Sequence, residues 1–587
     1  MTTPAPVCLV LIALLGLCQI PVMAQQNPED PALPDLAPRE VEIRGRLEIA
    51  FPSLQRQPLL GFNPPPRIPE LPERRRPYMA PYKQESADLP PSELRRPSPP
   101  GIAGGSGYAR GYVEAGAGRY LSRRVRARAG VPVGSALYVT GSLDYDGADG
   151  FTPFANLPDR TTPYDALEAR LGLHHRAELF SIGATADASF DQYNLYGTGQ
   201  PFRSLFEQNP RREARGGGLG LWFETTEESD VAARVTLNYD HTQVETDVLT
   251  TQTLGDSPFE RTENRIDLAA ESRFPLAMAD LDLSGRFTSS GLDTDGLLGS
   301  TVRSYSLGAG ILLQNKDGYR LHLGGRFLGF EAVGQAVSGG DRTATYVVPT
   351  LRLDLYPSPT LNIFLANQPV LETPGLRALY RENPFLVDEP RMQPSLSTVD
   401  AMLGVHYFVG PFHLSGRSGY RFFPNYRYFV HATGTSTPIY DRGLTALRYD
   451  RARIYYAEGD VALVLAGGLQ ASAGVSVRRG RLTEEDTDIP YFAPLTGRTS
   501  LALAFHDGKG QVQMTGRFES PRYRAFERTA ETRVDAYLDV DVMARYRLTP
   551  WIGLTAWGEN LLGGHLERWD GYPEMPTVFG LGLLIGF

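Results

Sequence analysis

The chain has 587 residues, a net charge of −9, and hydrophobic and charged fractions of 42% and 21%, which is too apolar for wholesale disorder. No apolar run beyond the N-terminus approaches the roughly 18 residues of a membrane-spanning helix, and mild acidity without long Lys/Arg runs argues against a nucleic-acid partner. Both cysteines, Cys8 and Cys18, fall within the leader, which leaves the mature chain without a disulfide, a thiol nucleophile or a cysteine metal site.

Residues 1–24 read as a signal peptide. Val7 to Ile20 is an apolar stretch, and Val22-Met23-Ala24 places small residues before Gln25, although Met1 to Pro6 lacks the usual Lys or Arg. Residues 25–106 carry 18 prolines, including Pro64-Pro65-Pro66 and Pro99-Pro100. Proline fixes φ and removes a backbone donor, so this block builds neither a packed sheet nor long helices and reads as a periplasmic spacer. One island, residues 39–51, breaks the pattern. It puts Val41, Ile43, Leu47 and Ile49 on one face with charges opposite, as a short strand would.

From Gly107 to Phe587 apolar and polar residues alternate at every second position. Ala536, Leu538, Val540, Val542, Ala544 and Tyr546 oppose Asp535, Asp539, Asp541, Arg545 and Arg547, and Leu321, Leu323 and Phe327 oppose Arg320, His322 and Arg326. Successive side chains of a strand point to opposite sides, so each segment has one apolar and one charged face. Connection lengths then separate a soluble sandwich from a membrane barrel. Short links near 131–134, 274–277, 315–318, 357–360, 409–411 and 548–550 alternate with longer ones near 147–163, 191–210, 244–260, 290–301, 331–342, 369–397, 481–495, 521–532 and 562–576. Tight turns at one end and long loops at the other mark an outer-membrane β-barrel. The expected fold of residues 107–587 is therefore an all-β, antiparallel transmembrane barrel of about 22 strands, with 411–466 forming one long hairpin or two shorter ones. Tyr239, Phe274, Tyr319, Tyr356, Phe364, Phe408, Phe412 and Trp551 lie near strand ends, where interfacial aromatic girdles belong.

The final strand steps through Phe579, Leu581, Leu583 and Ile585 to a terminal Phe587, which resembles the signal that hands outer-membrane barrels to their assembly machinery. The last fifty or so residues resemble the C-terminal end of TonB-dependent receptors. Tyr546-Arg-Leu-Thr-Pro-Trp551 is a periplasmic turn of their kind. Glu559-Asn560-Leu561-Leu562, followed by Gly571-Tyr572-Pro573-Glu574-Met575-Pro576, is similar to their closing hairpin, with Thr577 where a Gly is usual. The resemblance implies solute uptake across the outer membrane, and strand number agrees with it. One departure matters: the family's plug domain does not fit into about 80 proline-rich residues. The 39–51 island stands as a plain tether, as an edge strand for an energy-coupling or other periplasmic partner, or as part of an improvised stopper.

The polar strand faces supply lumen-lining candidates: Arg124, Arg126, Arg128, Asp280, Asp282, Arg286, Arg320, Arg326, Arg352, Asp354, Asp539, Asp541, Arg545 and Arg547. Such residues select charged solutes or simply pair with one another in water. His174 and His175 point to opposite faces, His406 and His413 flank a turn without carboxylates, and no metal site or cofactor is expected. No nucleophile elbow or triad spacing is present, so catalysis ranks behind both transport and a structural, partner-binding role in an envelope complex. Gly216-Gly217-Gly218 precedes no helix and so is no phosphate loop; it relieves curvature or makes room for a neighbour. The loop 369–397 holds more apolar residues than a free loop does, which points to packing as a lid or into the lumen. The membrane lipid is the remaining expected partner.

Overall fold

The computed structural model describes residues 111–587, apart from 135, 158–159, 199–208, 227–228, 230, 248–258, 295–296, 316–317, 335–340, 389, 433–442, 466–467 and 565. The signal peptide, the proline-rich segment and the island with Val41, Ile43, Leu47 and Ile49 lie outside the described residues.

The barrel opens with β1 (Gly111–Gly118), β2 (Arg123–Val133), β3 (Leu137–Ala148), β4 (Tyr164–Arg176), β5 (Phe180–Asn194), β6 (Arg211–Thr225) and β7 (Ala232–Thr246). It continues through β8 (Phe259–Pro275), β9 (Asp280–Thr294), β10 (Leu297–Asn315), β11 (Tyr319–Val333), β12 (Arg342–Ser358), β13 (Leu361–Asn367), β14 (Val399–Val409) and β15 (Phe412–His431). It ends with β16 (Thr445–Val464), β17 (Leu469–Leu482), β18 (Leu495–Phe505), β19 (Gly510–Glu519), β20 (Tyr537–Arg547), β21 (Ile552–Glu559) and β22 (Val578–Gly586). Each strand pairs antiparallel with the next, and β22 pairs back onto β1, so the 22 strands close. Closure removes every sheet edge, which is what lets strands cross a bilayer with all backbone groups bonded. The terminal residue takes part: Phe587 and Gly111 exchange both backbone hydrogen bonds, at 3.0 and 3.1 Å.

The alternation places the faces as expected. Leu219, Leu221 and Phe223 on β6 and Phe579, Leu581, Leu583 and Ile585 on β22 point outward and are exposed, as lipid-facing residues must be. At the closing seam the inner face is built from glycines. A Cβ on Gly580 would stand 2.2 Å from the Trp557 ring and one on Gly116 2.6 Å from it, so only Gly lets the indole lie against the wall. The Arg124 guanidinium covers that ring at 4.7 Å.

Of the two alternatives for 411–466, the structure has the single long hairpin, β15–β16. Two expectations change in detail. The longer loop expected near 290–301 is absent: β9 and β10 pair from Thr294↔Leu297, leaving only residues 295–296, Asp-Gly in sequence, which is the preferred dipeptide of a two-residue hairpin. Phe364 is not in an outer girdle. It faces inward on β13, buried with Ala366, Met402 and Tyr456, because its register shares the face of Asn362.

Because Leu219 is 61% exposed near the middle of β6, Leu219→Arg is expected to destabilise the lipid-embedded barrel by about 2–4 kcal/mol. Urea unfolding in phospholipid vesicles measures it. A variant as stable as the native chain would place this face away from lipid.

Candidate functional site

Every lumen-lining candidate sits on the inward-facing register of its strand, and most are paired. Arg124 joins Asp146 and Glu559, each at 2.7 Å. Arg128 meets Asp144 at 2.6 Å, with Arg126 at 3.9 Å from the same residue. Asp282 accepts from Arg273 at 2.6 Å and faces His322 at 3.5 Å, while Arg286 forks onto Asp267 at 3.1 and 3.2 Å. Arg352 holds Asp354 at 2.8 Å, Arg517 holds both Asp539 and Asp541, and Arg545 reaches Glu114 at 2.7 Å. Asp280, Arg320 and Arg547 stand within two residues of the short turns, at the far end of the lumen. Paired charges lining water on a barrel wall are an ordinary interior. Arg326 differs: it donates to the carbonyl of Pro369, in the long loop between β13 and β14.

That loop, 368–398, folds into the barrel. Its centre is the helix α1 (Leu376–Glu382), whose Leu376, Leu379 and Tyr380 recur at helical spacing and are buried. They pack against residues that interrupt the polar inner face near the long-loop end of the strands: Ala214 on β6, Val244 on β7, Leu292 on β9, Val302 on β10 and Ala332 on β11. The loop leaves β13 and is fixed to walls well around the cylinder. Thr373 donates to Ser304 on β10 at 2.6 Å, the Leu376 amide to Glu263 on β8 at 2.6 Å, and Tyr193 on β5 to the Pro384 carbonyl at 3.0 Å. Arg427 on β15 meets Glu382 at 2.7 Å, and Thr445 on β16 exchanges backbone bonds with Phe385 and Val387.

Arg212 on β6 is the hub of these contacts. It is fully buried (0% exposed) and donates to the carbonyls of Pro384 and Leu386 at 2.8 Å, to Thr246 at 3.0 Å and to Asp388 at 2.6 Å, under the Tyr380 ring at 4.7 Å. All of its partners outside the wall come from the loop. A second layer roofs the loop. Tyr572, in the connection 560–577, stacks on Phe385 with ring centroids 3.5 Å apart, and Tyr196 abuts both rings. Close by, Tyr537 donates to Glu574 at 3.0 Å, and burial pushes the Glu574 carboxyl above its ordinary range.

On its wall side α1 turns two arginines, Arg377 and Arg381, toward β4 and β5. Arg377 lies 3.0 Å from Asp187 and 3.7 Å from Glu168; Arg381 pairs with Glu168 and approaches Asp191 at 3.9 Å. The inner face of β6 is bare here. A Cβ on Gly216 would touch the Arg377 side chain, and one on Gly218 would stand 2.6 Å from Asp187 Oδ1 and 2.8 Å from Asp240 Oδ1. The glycine stretch thus makes room for the loop and for two converging carboxylates.

The sequence pointed to the loop as packed but not to the residues that hold it: Glu168, Asp187, Asp191, Arg212, Glu263, Arg377 and Arg381. Two signals were available. Glycines 216, 218 and 220 recur on one face of β6, and several strands turn apolar on both faces toward their long-loop ends.

No protein-family model and no curated protein matches the chain. Solved structures do resemble it. The FrpB iron transporter from Neisseria meningitidis is 12% identical with a TM-score of 0.63, covering 81% of each chain. The copper transporter OprC is 14% identical at a TM-score of 0.59, over 81% of this chain and 80% of its own. A ferric enterobactin receptor (PfeA) mutant from Pseudomonas aeruginosa is 15% identical at 0.60, over 81% of each. These are TonB-dependent receptors, transporters rather than enzymes, and the chain has their closed 22-strand barrel fold, that of an outer-membrane protein.

Replacing Arg212 by Met leaves Asp388 buried without its cation, and breaking such a pair costs about 3–5 kcal/mol. Amide exchange across 376–388 is expected to accelerate at least tenfold in the variant, with strand amides distant from the loop unchanged. The Glu574 shift has a definite sign. A carboxyl raised above its unfolded value of about 4.5 loses stabilisation as pH climbs from that value through the folded one. Glu574→Gln should therefore melt at least as high as the native chain at pH 7, with the difference closing below about pH 4.5, as read by thermal scans in detergent.

Proposed function

We propose that the protein carries a solute across the outer membrane, and that the in-folded loop 368–398, not a conventional plug, obstructs the lumen. A closed barrel of more than about 16 strands leaves an aqueous channel unless something fills it. The observation that carries the reading is the in-folded loop around α1, whose Leu376, Leu379 and Tyr380 join an apolar core and whose residues are tied to β5, β6, β8, β10, β15 and β16. The neighbours of like fold are an iron transporter, a copper transporter and a ferric enterobactin receptor, which supports transport as the function. Passage then requires the loop to move aside. The inward charged residues, from Arg124 and Arg126 to Asp539, Asp541 and Arg545, line the remaining aqueous path.

The proline-rich segment lies in the periplasm on this reading, where the island with Val41, Ile43, Leu47 and Ile49 serves as a tether or is offered as an edge strand to a periplasmic partner. Phe579, Leu581, Leu583, Ile585 and Phe587 serve assembly into the membrane.

Replacing residues 374–391 by a short Gly/Ser linker tests the obstruction. Cells making this variant should become sensitive to a large antibiotic that the native barrel excludes, and purified barrels should open in planar bilayers. Unchanged exclusion, with the barrel assembled and inserted, would show that the block lies elsewhere.

A further inference from the structure

At the short-turn end, one row of cross-strand neighbours runs along the inner wall from Pro132 on β2 through Tyr138 on β3, His174 on β4 and Gly183 on β5 to Trp222 on β6. Glycines seat its rings against the wall. A Cβ on Gly130 would collide with the Tyr138 hydroxyl and one on Gly183 with the Trp222 indole, while one on Gly172 would stand 3.0 Å from His174 Nε2. His174 and Trp222 face each other with ring centroids 5.7 Å apart. Pro132, Tyr138, His174, Arg176, Ser181 and Trp222 are among the residues that line a cavity of about 370 Å³.

These rings do not belong to an interfacial girdle. Phe180 and Phe223 supply that on the outward face of the same strands, exposed and stacked with centroids 5.8 Å apart. Ring faces turned toward a lumen are poorly served by water and well served by a packed partner.

The occupant follows from where the chain enters the barrel. β1 begins at Gly111, which pairs with Ala129, three residues from Pro132 on the same end of β2. The chain ahead of it includes Pro97-Ser98-Pro99-Pro100. Eleven Cα steps separate Pro100 from Gly111, a reach of about 36 Å when extended. Trp222, the farthest ring, lies five strands from β1, an arc of about 24 Å. Proline favours the polyproline II form, which rises about 3.1 Å per residue, so residues 97–100 span about 12 Å. The row from Tyr138 to Trp222 crosses three strand spacings, about 14 Å. Polyproline carbonyls have no internal partner, and the shelf offers donors in the Tyr138 hydroxyl, the Trp222 indole N–H and the Arg176 guanidinium.

We infer that this aromatic shelf is the docking site of the chain's own Pro97-Ser98-Pro99-Pro100 segment, held in polyproline II form against Tyr138, His174 and Trp222. The contact anchors the proline-rich segment at the short-turn mouth, at the other end of the barrel from α1. It does not rest on the loop 368–398 as the obstruction.

The mature chain has no cysteine, so a pair of introduced thiols reports the contact in the full protein. In detergent with a copper–phenanthroline oxidant, Ser98→Cys with Ser181→Cys should close a disulfide at least tenfold faster than Ser98→Cys with Ser472→Cys, which lies near the short turn before β17 on the far wall. Trp222→Ala in the first pair should slow closure at least tenfold. Should that barrel fail to fold, Pro97→Ser, Pro99→Ser and Pro100→Ser, which leave every barrel strand untouched, should slow it equally. Equal rates at Ser181 and Ser472, or a rate at Ser181 unchanged by the ring or the proline substitutions, overturn the inference. Capture of another envelope protein by Ser181→Cys in cells, with no internal disulfide to Ser98→Cys, overturns it too and makes the shelf that protein's site.

Discussion

Arg212 places a full charge inside the wall of the cylinder, with no exposure to water. Such a charge is tolerable only when every donor finds an acceptor, because desolvation of an ion costs several kcal/mol that geometry must offset. Here the wall alone supplies Thr246, and the loop supplies Pro384, Leu386 and Asp388. The arginine is therefore satisfied in one state of the loop and stranded in others. This dependence explains why a surface connection becomes an interior element. Leu376 and Leu379 bring apolar surface to Val244, Leu292 and Val302, and Arg212 makes the fit specific to one depth and one register.

The interior consequently has two regimes on the same strands. Toward the short turns, inward positions carry charged pairs such as Arg273–Asp282 on β8 and β9, with water as their medium. Toward the long loops, the same faces turn small or apolar, at Ala214, Val244 and Ala332, and pack as the core of a soluble domain does. A strand of a simple water-filled barrel has no use for that switch. Its presence on β6, β7, β9, β10 and β11 together matches the footprint of α1 and marks the wall as shaped to receive a filling element.

Much of this was legible in the sequence. Period-two alternation is imposed by strand geometry at every residue, so β20 or β22 could be read from its letters. Pairing was legible only as a class, because which Arg meets which Asp is set by register between strands distant in sequence, as with Arg545 and Glu114. The β9–β10 hairpin was misread because loop length was judged before turn chemistry; Asp295-Gly296 carried the better signal. Phe364 was misassigned because an aromatic near a strand end satisfies girdle and core equally until the register is known. The carboxylates that hold α1 were illegible for a different reason. Glu168 and Asp187 look like ordinary solvated lumen residues, and their meaning comes from Arg377, about two hundred residues away in the chain.

The closing hairpin connects barrel assembly to lumen closure. Gly571-Tyr572-Pro573-Glu574 leads directly into β22, the strand whose pairing with β1 completes the cylinder. The same few residues place Tyr572 flat on Phe385, and Phe385 is the loop residue whose backbone bonds to Thr445 on β16. A Cβ on Gly197 would meet both the Gly571 carbonyl and the Tyr572 ring, so the connection after β5 is fitted to this stack as well. Three connections far apart in sequence thus converge on one aromatic contact, and the pairing that closes the cylinder and the stack over α1 draw on the same short stretch of chain.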